Sequence, residues 1–219
     1  MSRKLLIRSD RFPYHVTVRS NNKELFPLAL DHIWKIAMDE LYVLNMLYET
    51  EVQAFVLMPN HIHLIVTAPT RDLGEIMGIF LSKLTKRING LSSRSGRIFG
   101  GPHFWSIITS SRYYGHAFKY VYRNPVKAGL CTHVEKYKFS TANGRFGLGT
   151  LLLPIYFTRV GFETDLPNID RPNAWLDWLN TPFSKEIELL IQKSLRRKEI
   201  KELINPLNRR PYGELSQLI

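Results

Sequence analysis

Apolar and polar positions alternate along residues 11–19 (RFPYHVTVR). Tyr14, Val16 and Val18 share one side, and His15, Thr17 and Arg19 the other, the pattern of a half-buried strand. Asn21-Asn22 reads as a turn. Over 28–46 the period changes. Leu30, Ile33, Trp34, Ala37, Leu41 and Leu44 recur at helical spacing. Residues 51–58 and 61–67 are strand-like and flank Pro59-Asn60, which predicts a hairpin. Asp72 followed by Glu75 has the form of a capping box. The helix it opens carries an apolar stripe of Leu73, Ile76, Met77, Phe80, Leu84 and Ile88. Residues 92–102 (SSRSGRIFGGP) are loop-like. Ser110 or Ser111 can cap a further helix that should stop near Asn124, because the residue before Pro125 resists helical geometry. Gly129 closes that unit.

This order of elements predicts an α+β sandwich, helices packed on a small antiparallel sheet. Beyond about residue 150 the texture changes, with Pro154, Pro167, Pro172, Pro182, Pro206 and Pro211 punctuating the segment. Trp175, Trp178 and Leu179 form a short apolar motif, and 184–204 reads as a basic helix. The expected division is a core domain over 1–150 and a basic helical extension over 151–219 packed on it.

Charge adds a partner. The 219 residues hold 30 Lys and Arg against 19 Asp and Glu, a formal net charge of +11. A surplus of that size favours a polyanion, most simply nucleic acid. The cations cluster: Lys83, Lys86 and Arg87 flank the helical stripe, Arg94 and Arg97 lie in the following loop, and further groups occur near 193–201 and at Arg209 and Arg210. The first two clusters are the candidate DNA-binding residues, against the alternative of a solvated basic surface. Cys131 is the only cysteine, so neither an internal disulfide nor a cysteine-rich zinc site is available. The uncharged run 52–70 is broken by Pro59, Asn60, His61 and His63, and the N-terminus lacks an apolar core of signal-peptide length. The expected location is the cytoplasm.

Two constellations could carry chemistry. His61-Ile62-His63 on a strand would project both imidazoles from one face. Neutral imidazoles placed so can share a divalent ion, or can simply be hydrogen-bonded on a polar sheet face. On the helix over 111–124, His116, Tyr120 and Asn124 are four apart and fall on one side. Tyr120 could present a phenol beside the Asn124 amide, whose carbonyl could complete a His, His, Asn ligand set. Tyr114, Phe118 and Tyr122 read as core packing. Phe104 and Trp105 could stack on bases, although burial in the core is the commoner fate of such rings.

MPNHIHLIV followed about sixty residues later by YVYRNPVKAGL, with RFPYHVTVRSNN at the start, resembles the single-tyrosine HUH transposases. Within these, it resembles in particular the REP-associated tyrosine transposases. The resemblance covers roughly residues 11–140; a weaker likeness extends to the tail. It implies a ferredoxin-like HUH endonuclease fold and an enzyme that nicks and rejoins single-stranded DNA, often beside imperfect hairpins, through a 5′-phosphotyrosine. The family's histidine pair falls on His61 and His63, its nucleophile on Tyr120 and its third metal ligand on Asn124. The implied cofactor is Mg²⁺ or Mn²⁺, and the implied assembly a monomer or homodimer, with the tyrosine supplied in cis or in trans. Two other readings are a non-catalytic nucleic-acid-binding regulator and a replication-initiator or relaxase type of HUH nickase.

Overall fold

The computed structural model describes residues 7–158, 160, 166–167, 172–195, 197 and 199–200. The core follows the order β1 (Tyr14–Arg19), α1 (Leu30–Tyr48), β2 (Glu51–Met58), β3 (His61–Thr67), α2 (Leu73–Ser92), β4 (Phe104–Ile108) and α3 (Ser111–Lys127). The sheet runs β2-β3-β1-β4, with β1 antiparallel to both of its neighbours and β2 antiparallel to β3. This is the α+β, ferredoxin-like sandwich expected from the sequence. Strand β5 (Glu199–Ile200) adds a short parallel edge beside β4. The free edge of β2 is also covered. Leu57 N–H donates to the Phe139 carbonyl and Thr141 N–H to that of Phe55, so no unpaired ladder faces solvent there.

The sheet has two unlike faces. Val16, Val18, Ile62 and Leu64 are buried on one, together with Phe55, which pairs with Leu64 across β2 and β3. Helix α1 lies on this face, with Trp34 against Phe55 (ring centroids 5.6 Å apart). Helix α2 packs on α1, and the six positions of its predicted stripe are all buried. Removing one such side chain, as in Phe80→Ala, costs about 3–5 kcal/mol. The opposite face carries His15, Thr17, His61 and His63, and α3 crosses it.

Several local expectations change. The pattern of 11–19 yields a strand only from Tyr14, because Pro13 precedes it and Ser9 Oγ accepts the N–H groups of Arg11 and Phe12 in a turn. Asp72 caps α2 by accepting the Gly74 N–H at 2.7 Å, but Glu75 pairs with Arg71 instead of closing a box. The five-residue strand Phe104–Ile108, too short and too apolar to declare a period, was not among the predicted elements. The basic helix over 184–204 is shorter: it spans Lys185–Ser194, and residues 201–204 lie outside the described ones.

Helix α3 passes through Pro125 and ends at Lys127. Proline has no N–H for the Val121 carbonyl. The Asn124 side chain supplies a substitute: Nδ2 donates to Tyr120 O at 2.8 Å and to Val121 O at 3.4 Å. The Asn-Pro pair thus repairs the break it creates, and α3 reaches a further turn.

The C-terminal segment leans on α3. Trp175, on the helix Pro172–Asn180, is buried against Phe118 (5.5 Å). Arg123 donates to the Leu179 and Asn180 carbonyls, and Lys127 pairs with Glu188 at 2.6 Å. Among the described residues no helix is long and apolar enough to cross a membrane.

Candidate active site

The strand register builds the site. His61 and His63 leave β3 on the same face, directly across from Arg19 and Thr17 of β1, respectively. Their ring centroids are 5.0 Å apart. His15, one pleat further along β1, stacks on His63 with centroids 5.6 Å apart and planes 22° from parallel. Tyr120 descends from α3 onto this row. Its ring stands edge-on to His63 at 5.9 Å and to His15 at 6.4 Å. The phenol is half-buried and lines a cavity of about 190 Å³ between α3 and the C-terminal segment, together with Arg123, Asn124, Lys127 and Phe183.

Burial decides among the tyrosines of α3. Tyr113, Tyr114 and Tyr122 are at most 1% exposed. Tyr122 pairs its hydroxyl with Thr141 Oγ1 at 3.0 Å, and burial raises its phenol further from ionisation. Tyr120 alone among these four is only half-buried, and its ring lies against His63 and His15.

The imidazoles are held neutral. Burial, and secondly the charge of Arg19, push His61 down to about 4. Burial pushes His15 to about 4 and His63 well below its ordinary value, with the neighbouring rings and Arg19 adding to the effect on His63. A neutral ring has one N–H and one lone pair. For His61 the assignment is fixed: Nδ1 lies 2.7 Å from Asn60 Oδ1, which can only accept, so Nδ1 carries the proton and Nε2 the lone pair. In Asn124, Nδ2 is engaged by the helix carbonyls, which turns Oδ1 away from them. These donor atoms, two imidazole nitrogens and an amide oxygen, suit a divalent ion that accepts mixed N and O ligands. Among the described residues no three His, Cys, Asp or Glu side chains are grouped to hold a metal.

His116, on the predicted line with Tyr120 and Asn124, is buried, and its ring packs near Phe183 at 5.9 Å. Lys119 turns to the same segment, with Nζ over the rings of Trp178 and Phe183 at 5.1 and 5.0 Å. Burial lowers its pKa to about 8.

The basic clusters separate. Lys83 and Lys86 are exposed on α2, in the helical layer on the far side of the sheet from Tyr120. Arg87 of the same helix does not simply face outward. It bridges Asp39 at 2.9 Å and Glu40 at 3.0 Å on α1, which raises its pKa. Arg94 and Arg97 are exposed in the loop before β4. That loop closes on the site end of the sheet: Gly100 N–H donates to Arg19 O, and Asn21 N–H to Ile98 O. A Cβ on Gly100 would stand 3.1 Å from Asn21 Cα and 3.2 Å from Ser20 O, so glycine permits the approach.

Three neighbours were not picked out from the sequence as site residues: His15, Thr17 and Arg19. Their shared side of β1 was legible, but its pairing with β3 was not. Phe104 also departs from expectation. It is 74% exposed, on the face of its register partner Thr17, whereas Trp105 packs on Tyr14 at 6.3 Å.

Residues 11–124 match the family model described as "Transposase IS200 like". A REP-associated tyrosine transposase of Escherichia coli (strain K12) is 26% identical over 145 residues, covering 64% of this chain and 80% of the relative. A solved structure of the REP-associated tyrosine transposase bound to a REP hairpin has the same fold. Its TM-score is 0.55 at 23% identity, over 64% of this chain and 82% of the other. With the family match spanning more than half of its length, this chain belongs to the IS200-like transposases.

Proposed function

We propose that the protein is a strand transferase of the REP-associated kind, which nicks and rejoins single-stranded DNA with Tyr120 as nucleophile. The observation that carries this reading is the Tyr120 ring set edge-on over His63 within one chain, beside an open cavity. In the reaction, the Tyr120 oxygen attacks the scissile phosphorus and the P–O3′ bond breaks. The phenol proton leaves to solvent, and the departing O3′ takes up a proton from solvent to become a 3′-hydroxyl. The product is a 5′-phosphotyrosine. Its phosphodiester energy is retained, so another 3′-hydroxyl can attack phosphorus and release the tyrosine without a nucleotide cofactor.

A free phenol titrates near 10, so the anion is scarce at neutral pH. His61, His63 and Asn124 would hold a divalent cation, Mg²⁺ or Mn²⁺. When bound, it supplies charge that polarises the phosphate and favours the phenolate. Nitrogen ligands favour Mn²⁺ over Mg²⁺. The chain's own residues bind and orient. Arg19 and Arg97 neutralise phosphates at the open end of the sheet, and Arg94 extends that basic edge. Lys83, Lys86 and Arg87 would serve DNA reaching around the other layer, Arg87 only by giving up its carboxylates. Phe104 offers an exposed ring on which a base can stack.

The intended substrate is single-stranded DNA next to a hairpin, by analogy with the hairpin-bound relative. The tyrosine acts in cis, and residues 1–150 are the transferase unit, with 151–219 as its C-terminal extension. The protein works in the cytoplasm as a monomer. The test is an adduct assay on a hairpin-bearing oligonucleotide. It should give a covalent protein–DNA species that needs Mn²⁺ or Mg²⁺. Binding without adduct under all metal conditions would leave the non-catalytic regulator.

A further inference from the structure

We propose that His15 is a positioning residue: it accepts the Nδ1 proton of His63 and so directs the His63 Nε2 lone pair toward the Tyr120 side of the site. This rests on reading His63 as a metal ligand. His15 Nε2 and His63 Nδ1 lie 3.3 Å apart, in nearly parallel rings. Thr17 Oγ1 is also 3.3 Å from the same Nδ1. His15 and His63 are 3% and 5% exposed, so water does not replace these contacts freely.

Two arrangements of the shared proton fit this geometry. With the shared proton on His63 Nδ1, two acceptors surround it, His15 Nε2 and the Thr17 hydroxyl, and Nε2 is left with a lone pair. With the proton on His15 Nε2, His63 would carry its own on Nε2 and could bind no cation there. The first arrangement gives His63 the same polarity that Asn60 imposes on His61. The two rings of the pair then present like atoms.

His15 itself is not a ligand in this scheme. Its Nε2 is spent on His63, and among the described residues no three-histidine metal group forms. Metal-binding histidines commonly lean on a carboxylate, a carbonyl or water. An imidazole partner differs from a carboxylate in one respect: it fixes the ring without adding negative charge where a polyanion has to approach.

Long-range ¹H–¹⁵N NMR on the labelled, metal-free full chain reads the tautomer directly. His63 protonated on Nδ1 is the expected result, and His63 protonated on Nε2 overturns the proposal. A Mn²⁺ titration followed by electron paramagnetic resonance gives the second readout, with thermal melting by circular dichroism as the check on folding. His15→Phe should weaken Mn²⁺ binding about 10- to 100-fold. His15→Gln, whose carbonyl oxygen can accept the same proton, should recover most of the loss. Unchanged affinity in His15→Phe overturns the positioning role. If the wild-type chain shows Nδ1–H on His63 yet binds no Mn²⁺, the hydrogen-bond assignment stands and the metal reading falls.

Discussion

Tyr120 and His63 meet within one chain, ring centroids 5.9 Å apart and planes 83° apart. A helix and a strand distant in sequence therefore bring these two rings together. The C-terminal segment steadies this placement, since Arg123 and Lys127 of the tyrosine helix are both tied to it.

Tyr120→Phe should abolish the covalent adduct, seen as loss of the shifted band on a denaturing gel, while leaving DNA binding intact. Tyr122→Phe should keep the adduct. It loses the buried bond to Thr141 and should cost about 1 kcal/mol of stability in urea unfolding. Adduct lost only in Tyr122→Phe would assign the nucleophile to the other phenol.

Asn124→Ala should act twice. It deprives the site of an amide oxygen, weakening Mn²⁺ binding tenfold or more on the scale of roughly 10–100-fold typical of metal-site support. It also leaves the Val121 carbonyl without its substitute donor next to Pro125, at about 1 kcal/mol. Isothermal titration and urea melts separate the two effects.

Phe104→Ala should weaken single-stranded DNA binding by about 1–3 kcal/mol, the usual worth of one base stacked on an aromatic ring. Since the ring is 74% exposed, the melting temperature should hardly move. Unchanged affinity by fluorescence anisotropy would exclude Phe104 from the DNA path.

Arg19→Gln and Arg97→Gln should each flatten the salt dependence of single-stranded DNA binding, by about 0.7 in the slope of log affinity against log salt. Lys83→Gln should change that slope less if the DNA stays on the tyrosine face. Equal effects at all three would place the DNA around both layers.

Stability should depend on acidity between about pH 6.5 and 4. His15, His61 and His116 are each lowered from 6.5 to about 4, chiefly by burial. In that window the unfolded chain binds protons that the folded one refuses. Stability is therefore greatest above 6.5 and falls as pH drops toward 4. His116→Phe removes one of these groups and should reduce the slope of the urea midpoint against pH. A midpoint flat across the window would mean these rings are not shielded.

Much of the frame was readable because its signals are local. The α2 stripe from Leu73 to Ile88 is buried position for position, and the Pro59-Asn60 hairpin falls where the pattern breaks. Paired motifs around His61 and Tyr120 marked the site residues as candidates. Other features were hidden for physical reasons. A five-residue apolar strand such as Phe104–Ile108 has no period to display. Pro125 signals a helix stop unless one knows that the preceding amide can replace the missing N–H.

The elements from β1 to α2, the two-sidedness of β1, the cationic surplus and the spacing of the histidines were all determined by the residues alone, since each is read from the residues themselves or from neighbours within a few positions. Tertiary structure decided which strand lies beside which. That choice puts Thr17 and Arg19 opposite the histidines, stacks His15 on His63, and pairs Arg87 with α1 carboxylates. It also separates the half-buried Tyr120 from the sealed Tyr122, two residues along the same helix. Contacts of this kind join positions tens of residues apart. They are set by how the layers bury their apolar faces against one another, which no local pattern encodes.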